Sequence, residues 1–205
     1  TLSAESFEDY TPQFTVMPRI AFSFPISDEA LFFAHYDVLS QRPQGGTTST
    51  PSGNALIAGP FQYYFLEALN TDNVMSNPAL KPERTIDYQV GFKQALGTTS
   101  AITISGTYRE LKDMIQVQKI AYAYPVEYNT FGNTDFGTVK SLQFTYELRR
   151  VKNVKIDANY TFQFADGTGS NITSGLNLVG SGQPNLRTII PFSYDQRHAL
   201  TASVD

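Results

Sequence analysis

Reactive side chains are scarce in this chain. His35 and His198 are its two histidines. Both sit where apolar and polar residues alternate, without the serine or carboxylate partners that would make either one the base of a nucleophilic relay. Cysteine is absent, which removes disulfides, thiolate metal sites and thiol nucleophiles together. Gly180-Ser181-Gly182 lacks the third glycine of a phosphate cradle and lies in a loop that leads into no helix. Asn171-Ile172-Thr173 has the form of a glycosylation triplet, too short a pattern to carry weight. The side chains that do suggest chemistry are loop aromatics. Tyr63, Tyr64, Phe65, Tyr122 and Tyr124 offer wide surfaces, most with a polar tip, for holding a ligand or for packing loops together. This inventory points to no enzyme, no cofactor and no metal.

Composition narrows the class. Charged residues are 17% and aromatics 13% of 205 residues, against about 25% charged in an average globular chain, so disorder is not expected. A net charge of -4 gives no electrostatic basis for gripping a phosphate backbone, and nucleic acid is excluded as a partner. No apolar run reaches the roughly 18 residues of a transmembrane helix. A transmembrane β-barrel passes under that filter, because only every second residue faces lipid. Neither terminus has the pattern of a natural chain end, and the sequence reads as a cut from a longer protein.

The elements that must position these groups are strands. In 154–164, Val154, Ile156, Ala158, Tyr160, Phe162 and Phe164 oppose Lys155, Asp157, Asn159, Thr161 and Gln163. A period of two means a strand with one apolar and one polar face. Ile86, Tyr88, Val90 and Phe92 repeat the pattern, as do Leu142, Phe144, Tyr146 and Leu148, the even positions of 30–38, and more weakly 18–24 and 194–204. Ile102, Ile104 and Tyr108 start in step, but Ile115 and Val117 fall on the other parity, so a bulge is expected at 109–112. Strands are expected near 17–25, 30–39, 84–96, 101–119, 135–148, 153–165 and 193–205, with a short helix at 61–69.

Connections alternate in length. The segments 25–29, 97–100 and 149–153 are tight, whereas 40–83, 121–134 and 166–192 are long and rich in Gly, Pro, Ser, Thr and Asn. In an antiparallel up-and-down meander that puts all tight turns at one rim and all long loops at the other, the layout of outer-membrane barrels. Parity alone does not say whether the apolar face looks into a core or out to lipid, and a soluble sandwich would alternate in the same way. The length of the repeats favours the membrane, since barrel strands need about 9 to 11 residues.

Asn77-Pro78-Ala79-Leu80-Lys81-Pro82-Glu83-Arg84-Thr85, followed by Asp87-Tyr88-Gln89-Val90-Gly91, resembles the N-P-x-L-K-P-E-x-x-x-x-Y-E-x-G signature in barrels of TonB-dependent outer-membrane receptors, with Gln89 in place of the glutamate. Phe131-Gly132-Asn133 leading into 139–143, and the stretch 192–198, are similar to strand approaches in that family. The detailed flavour resembles large Bacteroidota receptors that carry an N-terminal carboxypeptidase-regulatory-like domain. The resemblance implies an all-β fold, an antiparallel up-and-down transmembrane β-barrel segment of about seven strands within a larger 22-stranded barrel, with the plug domain outside this chain. It implies active import, across the outer membrane of a Gram-negative bacterium, of a large or scarce nutrient such as an iron chelate, cobalamin, a glycan or a peptide. Its implied partners are outer-membrane lipid, the rest of the barrel and plug, TonB through the missing N-terminal region, and a surface lipoprotein lid.

On this reading Ile86, Val90, Phe92, Phe144, Ile156, Tyr160 and Phe162 face lipid, and Asp87, Lys93, Glu147, Lys155 and Asp157 face the lumen. The motif residues Asn77, Pro78, Leu80, Lys81, Pro82, Glu83, Tyr88 and Gly91 are structural, the prolines holding the chain extended as it drops into the wall. The alternatives are a secreted β-sandwich that binds carbohydrate and a passive porin.

Overall fold

The structure, a computed structural model, describes residues 12–43, 74–75, 77, 79–122, 128–170, 172, 174–175, 178–179, 181, 183 and 188–205. Alternating side chains leave the chain one economical arrangement, a single sheet, and this is what forms. Its strands are β1 (Arg19–Ser27), β2 (Ala30–Gln41), β3 (Val74–Met75), β4 (Glu83–Leu96), β5 (Ser100–Ile120), β6 (Tyr128–Val151), β7 (Val154–Gly167), β8 (Ile190–Pro191) and β9 (His198–Val204). The order is β1-β2-β4-β5-β6-β7, with β8 and β9 following one another along the free side of β7. All of these pairs are antiparallel. The short β3 lies parallel to β6 at Asn129 and Thr130, beyond the end of β7. The helix expected at 61–69 lies outside the described residues.

Tight turns at 28–29, 97–99 and 152–153 join β1 to β2, β4 to β5 and β6 to β7. Gly97 and Lys152 take positive φ there, 71° and 58°. The long connections leave from the other end of the sheet. Pro25 belongs to β1 and not to the turn. Pro25 sits at the register irregularity that ends the β1–β2 ladder, a bulge-like position where a missing amide is tolerated. β6 is also longer than expected, starting at Tyr128 instead of 135.

The register places the even-numbered residues in rows on one face. Phe24, Phe32, Phe92, Ile104, Phe144, Tyr160 and Leu200 are successive cross-strand partners from β1 to β9. One row nearer the tight turns come Ile102, Tyr146, Ala158 and Ala202, and two rows towards the long loops come Tyr36, Tyr88 and Tyr108. Neighbouring rings touch, with centroids 5.2 Å apart for Tyr36 and Tyr88 and 6.2 Å for Phe144 and Tyr160. No second sheet covers this face among the described residues: Phe24 is 61%, Val90 54% and Leu200 74% exposed. The odd-numbered face carries the polar residues.

The faces exchange near the long loops. Leu111 pairs with Gly137, Met114 with Asp135 and Ile115 with Asn133. β5 thus takes three steps against two on β6, and then β6 takes two against one. Each strand gains one residue, so each alternation is turned over, and Asp113 takes a φ of 57° in the bend. Ile115, Val117 and Phe131 come to the side that holds even-numbered residues below. The bulge therefore sits slightly beyond 109–112, with a second one opposite it in β6. Another irregularity separates β8 from β9. Asp166 pairs with Pro191 and Phe162 with His198, seven steps against four. The surplus carries Phe192 onto the paired glycines Gly137 and Gly167, where its ring lies where a β-carbon would stand.

A β-carbon on Gly167 would also lie 2.6 Å from the Phe136 carbonyl oxygen, a backbone atom that cannot swing aside. Gly167→Val should therefore destabilise the sheet by about 1–3 kcal/mol through overpacking. Gly106→Ala, where a β-carbon meets nothing within 4 Å, should stay within about 0.5 kcal/mol. Urea unfolding of the two variants in liposomes checks this, and equal midpoints would refute the seat described for Phe192.

Candidate functional site

Two clusters of polar side chains organise the sheet, and the first is built on the sequence motif. Between β3 and β4 the described residues of the motif lie across β6 and β5, and side chains hold them there. Asn77 donates from Nδ2 to the Phe131 carbonyl at 2.8 Å and accepts the Ala79 amide at Oδ1, an Asx turn. Asn133 accepts the Lys81 amide at 2.8 Å and donates from Nδ2 to the Lys81 and Asp113 carbonyls at 2.9 and 2.7 Å. Glu83 accepts the Ile115 amide at 2.8 Å. That amide lies on the edge of β5 beyond its last pairing with β4, and the carboxylate takes the place of the missing strand. Leu80 packs among Val74, Ile115, Val117, Phe131 and Val179, so the crossing is sealed by an apolar contact as well.

From the other side, Ile172 and Gly175 reach the same hairpin. The Gln116 carboxamide donates to Asp135 at 3.1 Å and accepts the Gly175 amide at 3.3 Å, and the Ile172 carbonyl accepts the Val117 amide. Ile115, Gln116 and Val117 are all buried, at 5%, 3% and 0% exposure, because both faces of β5 are covered here. The far end of the β5–β6 hairpin is clasped between two loops.

The second cluster is a row of charges on the odd-numbered face. Arg19, Asp37, Asp87 and Arg109 are successive partners across β1, β2, β4 and β5. Arg19 Nε lies 3.0 Å from Asp37, and Arg109 makes a two-pronged contact with one oxygen of Asp87, at 2.6 and 3.2 Å. The other oxygen, Oδ1, is buried and has no partner among the described residues. Lys93 pairs with Glu147 at 3.1 Å, and Gln143 and Thr145 both reach Asn159. Beside this row stand Phe192 and Tyr194, stacked at 5.1 Å. Burial raises the Tyr194 phenol above its ordinary value, partly offset by the positive charge of Arg109.

Of the residues singled out in the sequence, Val90, Phe92, Phe144, Ile156, Tyr160 and Phe162 share the even-numbered face. Ile86 belongs to it too, but at 9% exposure it is covered. Tyr63, Tyr64, Phe65, Tyr124 and Pro78 lie outside the described residues, and Tyr122 is fully exposed. No ligand pocket of loop aromatics is assembled among the described residues. Gly91 has a clear reason, since the Phe33 ring lies over it. Neither the charged row nor the role of Asn133 shows in the sequence pattern. Phe131-Gly132-Asn133 is a family-like stretch, but its link to Lys81 becomes visible only once strand register is known.

Asn133→Ala removes three hydrogen bonds while leaving the strand ladder intact. The loss should be about 1–3 kcal/mol, localised at the crossing. Hydrogen exchange at the Lys81 amide reads it directly, and protection equal to wild type would show that Asn133 is not the clamp.

Known proteins share this fold. A family model described as TonB dependent receptor-like, beta-barrel matches residues 3–204. Among solved structures, the outer membrane transporter YddB from Escherichia coli superimposes with a TM-score of 0.56 at 12% identity, over 90% of this chain and 26% of that one. No curated protein sequence matches the chain. The present chain spans about a quarter of that transporter's length. With almost its whole length matched, the chain belongs to the TonB-dependent receptor-like β-barrel family, receptor barrels of the Gram-negative outer membrane.

Proposed function

We propose that this chain is a wall section of an active importer that takes up a large or scarce nutrient and is energised through TonB. The observation that carries the reading is the open even-numbered face. Seven strands present an apolar surface on which no second sheet lies among the described residues, backed by a face of ion pairs. In water such an exposed patch would be a liability; against acyl chains it is solvated. Its height fits. Val154 to Phe164 on β7 is ten residue steps, roughly 34 Å of strand, and a tilt of about 40° reduces this to roughly 26 Å, close to the apolar band of about 25 Å around such barrels. Tyr36, Tyr88 and Tyr108 then stand towards the interface near the long loops. Val90, Phe92, Phe144, Ile156, Tyr160 and Phe162 face hydrocarbon, and Ile86 ends the band.

The odd-numbered face lines the lumen. A plug needs polar anchoring there, and the free oxygen of Asp87 beside Arg109 is an acceptor that a plug donor could satisfy. A plug, TonB and a surface lipoprotein lid are its partners in this reading. Ligand contact belongs to the long loops, and the nutrient is an iron chelate, cobalamin, a glycan or a peptide. A secreted sandwich is disfavoured because its apolar face would be sealed against a second sheet.

Val90→Arg puts a charge into hydrocarbon and should cost roughly 2–4 kcal/mol if near the midplane, while Gln89→Arg, one residue along on the lumen side, should insert normally. Refolding yields of the full-length receptor into liposomes compare them, and equal yields would overturn the face assignment. Uptake that persists in cells lacking TonB would instead return the protein to a passive pore.

A further inference from the structure

A glycine stands within the rows of side chains on the even-numbered face. Gly106 stands between Val90 and Leu142 in register, and a β-carbon there would meet nothing within 4 Å. The gap opens a groove of about 490 Å³, walled by Val90, Leu142 and Phe162 and lined almost wholly by carbon. Lys140 stands at its rim one row nearer the long loops, paired in register with Tyr108. Two further cations towards the long loops are neutralised, Lys112 by Glu110 at 2.6 Å and Arg197 by Asp195 at 2.8 Å, while Arg84 stands beside Lys112 in register and does not line the groove. Lys140 is exposed and has no carboxylate within ion-pair distance among the described residues.

We propose that this groove is a specific lipid site. One acyl chain of a phosphorylated membrane lipid lies against Gly106, and its headgroup phosphate binds the Lys140 ammonium beside the Tyr108 hydroxyl. The inference rests on the lipid-facing reading of this face. A protein strand is the poorer occupant, because the backbone groups around Gly106 are already used in the ladders to β4 and β6 and offer it no hydrogen bonds. A flexible hydrocarbon chain needs none. An unpaired cation directly above an apolar trough supplies the two contacts that an anionic lipid makes together, charge at the head and dispersion along the chain. A lysine that merely snorkels to the interface would have the charge without the trough.

Native mass spectrometry of the full-length receptor in mild detergent tests this with two probes, dipalmitoyl phosphatidic acid and dipalmitoylglycerol, which share acyl chains and differ in the phosphate. Wild type should retain the phosphatidic acid preferentially. Lys140→Gln should reduce that preference about fivefold. Gly106→Leu fills the trough and should reduce retention of both lipids, and Lys112→Gln, a paired cation on the same face, should match wild type. Wild-type retention by both the Lys140 and Gly106 variants would overturn the proposal; if Gly106→Leu does not assemble, the Lys140 arm decides. The outcome is separable from the underlying reading: normal insertion of Val90→Arg removes both, whereas unchanged lipid retention with failed insertion of Val90→Arg removes the groove alone.

Discussion

Backbone pairing without water is the constraint on which everything else in this structure depends. In hydrocarbon an unpaired amide or carbonyl costs several kcal/mol, and only a continuous ladder avoids that cost across a membrane. The ladders obey this where it matters. β2 and β4 pair without a break from Ala30 to Gln41, and β4 and β5 from Arg84 to Leu96. Every register irregularity lies towards an end: beside the tight turns at Pro25 and Leu148, or near the long loops at Leu111 and before His198. Bulges are placed where water or a side chain can serve the backbone groups they release.

The clasp around the β5–β6 hairpin follows from the same rule. Beyond Lys112, β5 has lost β4 as a neighbour, and its outer edge would be bare. Glu83 and the Ile172 carbonyl occupy the amides of Ile115 and Val117 there, so two loops do the work of a strand. This gives the motif a physical meaning at the level of single atoms. Its asparagine turns the chain, its leucine seals the crossing and its glutamate pairs a stranded amide. The glycine admits the Phe33 ring, a cross-strand packing that any side chain would obstruct.

How far the sequence can be read depends on how local each feature is. Alternation is local, so the faces of β4 and β7 follow directly from Ile86-Asp87-Tyr88-Gln89 and Val154-Lys155-Ile156-Asp157. The parity change at Ile115 announces a bulge for the same reason, and only its position and its companion in β6 escape. Partnerships between strands are not local. Nothing in the neighbourhood of Asn133 says that it will bind Lys81, 52 residues away, and the Arg19-Asp37-Asp87-Arg109 row exists only because three registers happen to line up. Phe192 falls in a stretch that resembles a strand approach, but three surplus residues opposite β7 turn it onto the polar face, an excursion that no periodicity encodes.

Strand direction makes the described sheet one section of a larger closed wall. β1, β4, β6 and β9 all run towards the tight-turn end, so the two edges of the sheet, β1 and β9, are parallel to each other. Joining them would place one parallel pair in an otherwise antiparallel wall. It would also produce a cylinder narrower than an eight-stranded barrel, whose interior is already filled by its own side chains. The odd-numbered face leaves no room for that: Phe192 and Tyr194 already stand on it beside Arg109, with the Lys93–Glu147 bridge further along. Further strands must therefore meet both edges in the membrane, and their number must be odd if every neighbour is to remain antiparallel. The wider circle they complete gives the Asp87 row the interior space in which a separate domain can dock.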